Sequence, residues 1–421
     1  RMSWNIPSGT ARSQAIGGAL GSLGGDITTL YVNPAGLGMY KTGEFVISPG
    51  LSFLQEKATF LGNKSNAASL AKFNLGTTGI VWSQPGRRDN GWVNTTGSLA
   101  INRMANFNGR TYYSGQNNLS SFSEAFAEDF AASGLDIGVP LYSAAIGFGT
   151  KLANYTYLID TVTTRQGVEV VGLPERNAIL TGTTAILSQE KDVETRGGIT
   201  ELSFGYAGNY KDKFYIGGSI GIPIVNYSRT STFTERDLSG NGDNNFNYAT
   251  YTENYKSQGV GINARLGFIV RPAQNIRAGL SISSPSVYGL TERTTGRMET
   301  DLERYFSTPG IQVANADSIY TKNGADIPEY NYDLISPWKF LVSGSYVFSE
   351  VEDVSLQKGF VTADMEYVTY GSSKFKSANN EEDANYYSSV NDAVRLAYKN
   401  AFNVRVGGEL KFNTLMTRLG F

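Results

Sequence analysis

The chain has 421 residues, 40 % of them hydrophobic and 18 % charged, with a formal net charge of −2, so no basic excess points to nucleic acid. It contains neither cysteine nor histidine, which excludes disulfide bracing, Ser-His-Asp and Cys-His catalysis and any His-ligated zinc site; no enzyme activity, metal or cofactor is expected. No run approaches the roughly 18 consecutive apolar residues of a membrane-spanning helix, yet 48 glycines, 25 tyrosines and 22 phenylalanines are the balance of a membrane β-barrel.

In chain order, residues 1–43 come first, and their texture differs from the rest. Small residues dominate from Gly9 to Ala19 and from Ser22 to Leu37, without sustained alternation. Residues 12–20 are predicted to form a short helix, and Asn33-Pro34-Ala35-Gly36 is a turn or helix-start signal, with Pro fixing φ and Asn able to cap. The pair Gly17-Gly18 lacks the preceding strand and the Lys-Ser/Thr continuation of a phosphate cradle. Two readings stand, a plug folded inside a barrel or a disordered leader; the apolar area of Ala, Ile, Leu and Tyr favours the plug. No signal peptide is visible, as expected if Arg1 follows its removal.

From residue 44 onward, apolar residues alternate with small or polar ones. In 259–271, Val260, Ile262, Ala264, Leu266, Phe268 and Val270 share one face and Asn263, Arg265, Gly267 and Arg271 the other. Strands are predicted at 44–60, 70–84, 91–110, 190–210, 214–232, 250–271, 276–296, 332–348, 359–372 and 401–412, and an eleventh begins near Leu415. A soluble sandwich would also alternate. Against it, the strands are long enough to cross a bilayer, and short connectors (85–90, 211–213, 272–275, 349–357, 413–414) alternate with long ones (111–189, 233–249, 297–331, 373–400). Bacterial barrels have even strand counts, so the last strands are expected to lie beyond Phe421.

The long connectors hold candidate binding residues. Leu119, Phe122, Phe126 and Phe130 recur at helical spacing, and 141–159 adds Tyr142, Ile146, Phe148, Leu152, Tyr155, Tyr157 and Leu158. They make either a hydrophobic ligand groove or a loop core. The run Tyr386, Tyr387, Val390, Val394, Leu396 and Tyr398 reads as structural. In the third strand, alternation breaks at Asn106-Phe107-Asn108-Gly109, where a bulge is expected. Arg265, Arg277, Asp364, Glu366, Arg405 and Glu409 face the lumen, where they pair and hold the plug or meet a carboxylate head group.

Ala15-Ile16-Gly17-Gly18-Ala19 followed by Asn33-Pro34-Ala35-Gly36-Leu37 and then a barrel resembles the FadL-type outer-membrane transporters of long-chain fatty acids and other hydrophobic compounds, especially the branch found in Bacteroidota. The resemblance covers the leader closely and the strand layout loosely; the very long second outer connector departs from it. It implies an all-β, antiparallel up-and-down transmembrane barrel of 14 strands, about three of them absent here, with an N-terminal hatch at 1–43 and the barrel at 44–421. It further implies a bacterial outer-membrane location among lipid and lipopolysaccharide, a hydrophobic small-molecule ligand, and lateral exit at a strand-3 kink, here Asn106 to Gly109. The alternatives are a non-transporting subunit of an outer-membrane secretion or assembly complex, with other outer-membrane proteins or lipoproteins as partners, and a general porin, which the plug disfavours.

Overall fold

The computed structural model describes residues 3, 8–65, 68–86, 90–134, 146–165, 167–182, 185–307, 310–322, 326–348, 358–378, 384–412 and 415–421. Tyr142 and the expected turns at 349–357 and 413–414 lie outside them, as do residues 87–89 of the turn at 85–90. Eleven crossings follow one another in the chain, several in two pieces. They are β1 (Glu44–Val46, Pro49–Glu56), β2 (Ala68–Leu75, Thr78–Pro85), β3 (Trp92–Asn106, Gly109–Asn117), β4 (Leu187–Tyr210), β5 (Phe214–Asp237) and β6 (Tyr248–Ala273). Then come β7 (Ile276–Ser283, Val287–Asp301), β8 (Glu329–Ile335, Lys339–Phe348), β9 (Gly359–Val368, Lys374–Ser377), β10 (Ala401–Phe412) and β11 (Leu415–Gly420). Each pairs antiparallel with its neighbours in sequence, from β1 to β11. The antiparallel up-and-down order is as expected, in eleven crossings; the path has two free ends, with no ladder joining β11 to β1 among the described residues, so a closed ring of fourteen is not shown.

Along the strands, burial is inverted relative to a water-soluble protein. On β5, Phe214, Ile216, Ile220, Ile222 and Ile224 are exposed, while Tyr215, Gly217, Ser219 and Gly221 between them are covered. On β6, Leu266 is 69 % exposed and its neighbour Arg265 only 7 %. A two-residue period lets one face be apolar throughout; here that face points outward as a continuous apolar band from β2 to β10.

The crossings run farther than predicted at the long-loop end. β4 and β5 have 24 residues each and β6 has 26, about 80 Å at ~3.3 Å per residue and more than twice what a bilayer core requires. Past Ile224 the outward positions of β5 become Asn226, Ser228 and Thr230, so the apolar band stops while the ladder goes on. At the other end, Lys211 and Asp212 turn tightly between β4 and β5, both with φ near +55°.

On the extended strands rests an outer domain. Between β3 and β4 the chain forms α3 (Ser123–Ala132), α4 (Phe148–Tyr155), a hairpin (Ile159–Thr163 with Val168–Gly172) and α5 (Leu173–Thr181). The later connectors add a strand (Ile311–Asn315) and α6 (Ala316–Lys322), then α7 (Ala384–Ala397). Phe130, Leu152, Leu158 and Leu173 bury against Phe246 and Met298.

Residues 8–40 fill the space that the curved sheet surrounds. α1 (Ala11–Ala15) is capped by Thr10, whose hydroxyl accepts from the Ser13 amide. It ends sooner than the predicted 12–20, because Gly17 and Gly18 take φ of +66° and +76°, a left-handed pair that no helix continues through. α2 (Thr29–Val32) leads into a 3-10 turn (Pro34–Met39), which Asn33 caps by accepting from the Ala35 amide. Ile16, Leu20, Ile27, Leu30 and Leu37 are fully buried.

Candidate functional site

The N-terminal segment is tied to the wall by hydrogen bonds. Asn33 donates to the Gly21 carbonyl at 2.6 Å, and Asp364 accepts from the Gly21 amide (3.1 Å) and the Ser343 hydroxyl (2.5 Å). Arg277 donates to the Leu23 carbonyl at 2.6 Å, and Tyr31 to the Ala100 carbonyl at 2.7 Å. The approach is close because the wall offers glycine there: a Cβ on Gly267 would lie 1.9 Å from Asn33 Oδ1, and one on Gly279 2.3 Å from the Gly21 carbonyl. Gly17 and Gly18 shape the backbone, Asn33 caps, and Pro34 and Ala35 pack on the wall, Pro34 against Gly217 and Ala35 beside Tyr215 and Ile269.

Above this segment lies a polar chamber of about 110 Å³, bordered by three cations (Arg265, Lys339, Arg405) and two carboxylates (Glu201, Glu366). Arg265 makes two bonds to Glu201, at 2.7 and 3.1 Å, and Arg405 one to Glu366 at 3.1 Å. Glu409 sits lower, bound by Arg418 at 2.6 Å with Arg12 and Lys411 nearby. The charges grouped as luminal therefore divide: Arg277 and Asp364 hold the N-terminal segment, Arg265, Glu366 and Arg405 line the chamber, and Glu409 joins strands near α1.

One side of the chamber meets a break in the wall. The ladder between β2 and β3 runs from Pro85↔Asn94 to Thr78↔Ile101 and stops. Beyond it, the Ala68–Leu75 half of β2 pairs with β1 alone. Asn102 to Asn106 thus have a ladder only on their β4 side. There, the pairing pauses at Phe107-Asn108, with Asn106 opposite Gly198 and Gly109 opposite Thr195. Gly197 takes φ +108° and accepts from the Phe107 amide at 3.0 Å. Small polar groups sit in the break: Thr77 donates to Asn102, which donates to Ser8 at 3.0 Å. Phe107 points inward and meets Tyr227 edge-on at 5.6 Å. Asn106 and Asn108 bond each other beside the kink, and Gly109 starts the second half of β3.

Higher still, toward the long loops, a second cavity of about 660 Å³ lies under α7. Tyr227 and Arg229 of β5, Tyr255 of β6, Glu292 of β7, Tyr332 and Leu334 of β8 and Phe375 of β9 border it, with Val394 and Tyr398 above. Sequence reasoning missed this site: the predicted strands 214–232, 250–271, 276–296 and 332–348 already contain Tyr227, Tyr255, Glu292 and Tyr332, but no inward face was assigned to those parts of them. The signal was present for two of them: Tyr227 and Tyr255 stand at even spacing from Tyr215 and Arg265 below them, whereas the break in β8 between Ile335 and Lys339 sets Tyr332 out of phase with Leu341.

The residues grouped as a ligand groove are elsewhere. Phe130 and Leu152 are 1 % and 0 % exposed in the core of the outer domain, with Phe122, Phe126 and Phe148 packed against it. Leu119 and Tyr155 lie on its surface. Phe122 meets Phe233 of β5 at 4.7 Å and Phe126 meets Tyr251 of β6 at 5.7 Å, so these rings fasten the domain to the extended strands.

No family model and no curated protein matches the chain. Among solved structures, it is similar to the toluene transporter TodX of Pseudomonas putida (13 % identity, 99 % of this chain and 84 % of that one, TM-score 0.46). It is also similar to a FadL homologue of Pseudomonas aeruginosa (11 % identity, 99 % and 80 %, TM-score 0.45) and to the toluene transporter TbuX of Ralstonia pickettii (13 %, 97 % and 84 %, TM-score 0.41).

Proposed function

We propose that this chain is a FadL-type channel of the bacterial outer membrane that takes up small hydrophobic molecules. The apolar outward band sits in the bilayer, the short turns face the periplasm, and the extended strands with their domain stand outside the cell. Residues 8–43 act as a hatch. A solute enters the upper cavity, passes the Phe107–Tyr227 pair into the chamber above the hatch, and leaves sideways between β2 and β3 into the membrane. The observation that carries this reading is the stretch Asn102–Asn106, which has no ladder on its β2 side, with a cavity directly behind it. An interrupted ladder in lipid leaves backbone groups without partners at several kcal/mol each, a cost that evolution retains where the interruption serves a purpose. The hatch argues for this sideways route: its many bonds to the wall close the straight path through the barrel.

Because the chain has no cysteine, a tether can test the route cleanly. Thr77 Oγ1 lies 3.1 Å from Asn102 Oδ1 across the break. The double substitution Thr77→Cys and Asn102→Cys should form a disulfide that closes it. Cellular uptake of a fluorescent hydrophobic solute should fall by about tenfold or more when the pair is oxidised and recover with reductant. Equal uptake in the oxidised and reduced states would refute lateral exit.

A further inference from the structure

The upper cavity has a chemistry of its own, and it does not suit a free carboxylate. Apart from Leu334, the strand residues that border it are aromatic or polar. The Tyr332 hydroxyl donates to Glu292 at 2.5 Å, and the Tyr255 hydroxyl is within reach of the same carboxylate. Burial and Glu292 both push these two hydroxyls above the ordinary tyrosine range, so they stay protonated donors at any pH the outer surface meets. Once its proton points at Glu292, each phenol oxygen still has lone pairs to accept from a solute. Arg229 is neutralised by an ion pair with Glu253, and its guanidinium already covers the Tyr255 ring at 5.7 Å, which leaves no empty cation site on that face. Among the described residues Glu292 has no ion pair. The three charges Arg229, Glu253 and Glu292 therefore sum to −1 on this side of the cavity.

Resting on the channel reading above, we propose that the upper cavity selects uncharged, ring-bearing solutes that carry a hydroxyl group, and rejects carboxylic acids. The rings of Tyr227, Tyr332 and Phe375 supply flat apolar surface for the body of the solute. The Tyr332–Glu292 pair orders its hydroxyl: the solute's O–H donates to a phenol or carboxylate oxygen. A carboxylate in the same place would lack that donor and would approach the unneutralised Glu292. A site built to bond a hydroxyl discriminates strongly against analogues that lack one, because its own polar groups then go unpaired. The volume of about 660 Å³ accommodates one or two fused rings with room to turn.

Three probes with one ring system separate the terms: naphthalene, 1-naphthol and 1-naphthoate, bound to the full chain in lipid nanodiscs, with empty nanodiscs as the blank. At about pH 7, 1-naphthol should bind roughly tenfold more tightly than naphthalene, and 1-naphthoate more weakly than either. Glu292→Gln should bring 1-naphthoate to within about threefold of naphthalene. Tyr332→Phe should reduce the advantage of 1-naphthol by about threefold while leaving naphthalene unchanged, a split that a misfolded variant could not produce. Binding of 1-naphthoate equal to or tighter than 1-naphthol, or selectivity untouched by both substitutions, would overturn the assignment. Uptake of 1-naphthol by cells with and without the protein reads the channel function separately. Selective binding without uptake would sink the transport reading and leave the site standing; uptake with the opposite selectivity would do the reverse.

Discussion

A charged side chain inside a barrel is tolerated only when it is paired and its remaining bonds are satisfied. Arg265 and Glu201 meet this condition in an unusual way, because they sit on β6 and β4 and reach over the strand between them. Gly221 of β5 makes that possible: a Cβ there would come within 2.5 Å of Glu201 Oε1 and 2.6 Å of Asn263 Oδ1. Asn263 and Ser203 also donate to Glu201, so the carboxylate is fully engaged. Arg265→Met strands that carboxylate in the lumen and should cost about 3–5 kcal/mol, whereas Arg265→Met with Glu201→Gln should recover most of the loss. Urea unfolding of the refolded barrel measures both; a single variant within about 0.5 kcal/mol of wild type would mean that water reaches and solvates Glu201. Arg265 was legible in the sequence as an inward charge because it falls on the face opposite the apolar run Val260 to Val270. Its partner was not, since a period-two pattern does not show that a glycine on β5 lets a side chain of β6 reach one on β4.

At the scale of elements, strand existence was readable, and the last few residues of each strand at the long-loop end were not. The outward face of β5 turns polar after Ile224, which resembles a strand running into a loop, yet the ladder to β4 continues as far as Leu187↔Asp237. Alternation reports a contrast between two faces, and the contrast disappears where both faces are polar. Helical spacing has the matching blind spot: Phe122, Phe126 and Phe130 disclose an apolar face but not what covers it, which proves to be the extended wall. Glu235 fixes α3 to that wall. It accepts from the Phe122 amide (3.1 Å), from Gln189 (2.6 Å) and from the Ser121 hydroxyl. Burial is the largest influence on this carboxyl and raises its pKa despite those bonds, with Glu124 adding to the shift. A raised value in the folded state means that the folded domain holds the proton more tightly than the unfolded chain does. The resulting stability is fully present below the ordinary carboxylate range and is lost as pH rises through the raised value. Hydrogen exchange of α3 amides, corrected for intrinsic rates, should therefore show greater protection near pH 5 than near pH 8, and Glu235→Gln should flatten the difference. A flat profile in the unmodified chain would show that the three donors hold the charge without penalty.

For the whole molecule, everything depends on what surrounds the exposed apolar band. In water, a surface carrying Ile216, Ile220, Leu266, Val404 and Phe402 at half exposure or more would aggregate; in lipid it is at equilibrium. The two environments make opposite forecasts for one substitution. Leu266 projects from the middle of β6's apolar run, between Val260 and Val270. On a water-exposed surface, Leu266→Arg would change stability by no more than about 0.5 kcal/mol in either direction. At the midplane of a bilayer it should cost about 2–4 kcal/mol, whereas an equivalent change at Asn254 on the same outward face, above the band, should cost almost nothing. Folding each variant from urea into lipid vesicles and titrating back measures the difference directly. A steep penalty at 266 that vanishes at 254 locates the bilayer edge between them, close to where the outward residues change from Val260 to Gln258 and Lys256. That edge would also place the interrupted stretch of β3 within the outer half of the membrane, since Gly198, opposite Asn106, lies in register with Asn226 of β5 and hence with Gln258. A solute leaving by the break would then emerge among acyl chains just beneath the head groups, where a greasy molecule gains most from leaving a polar chamber.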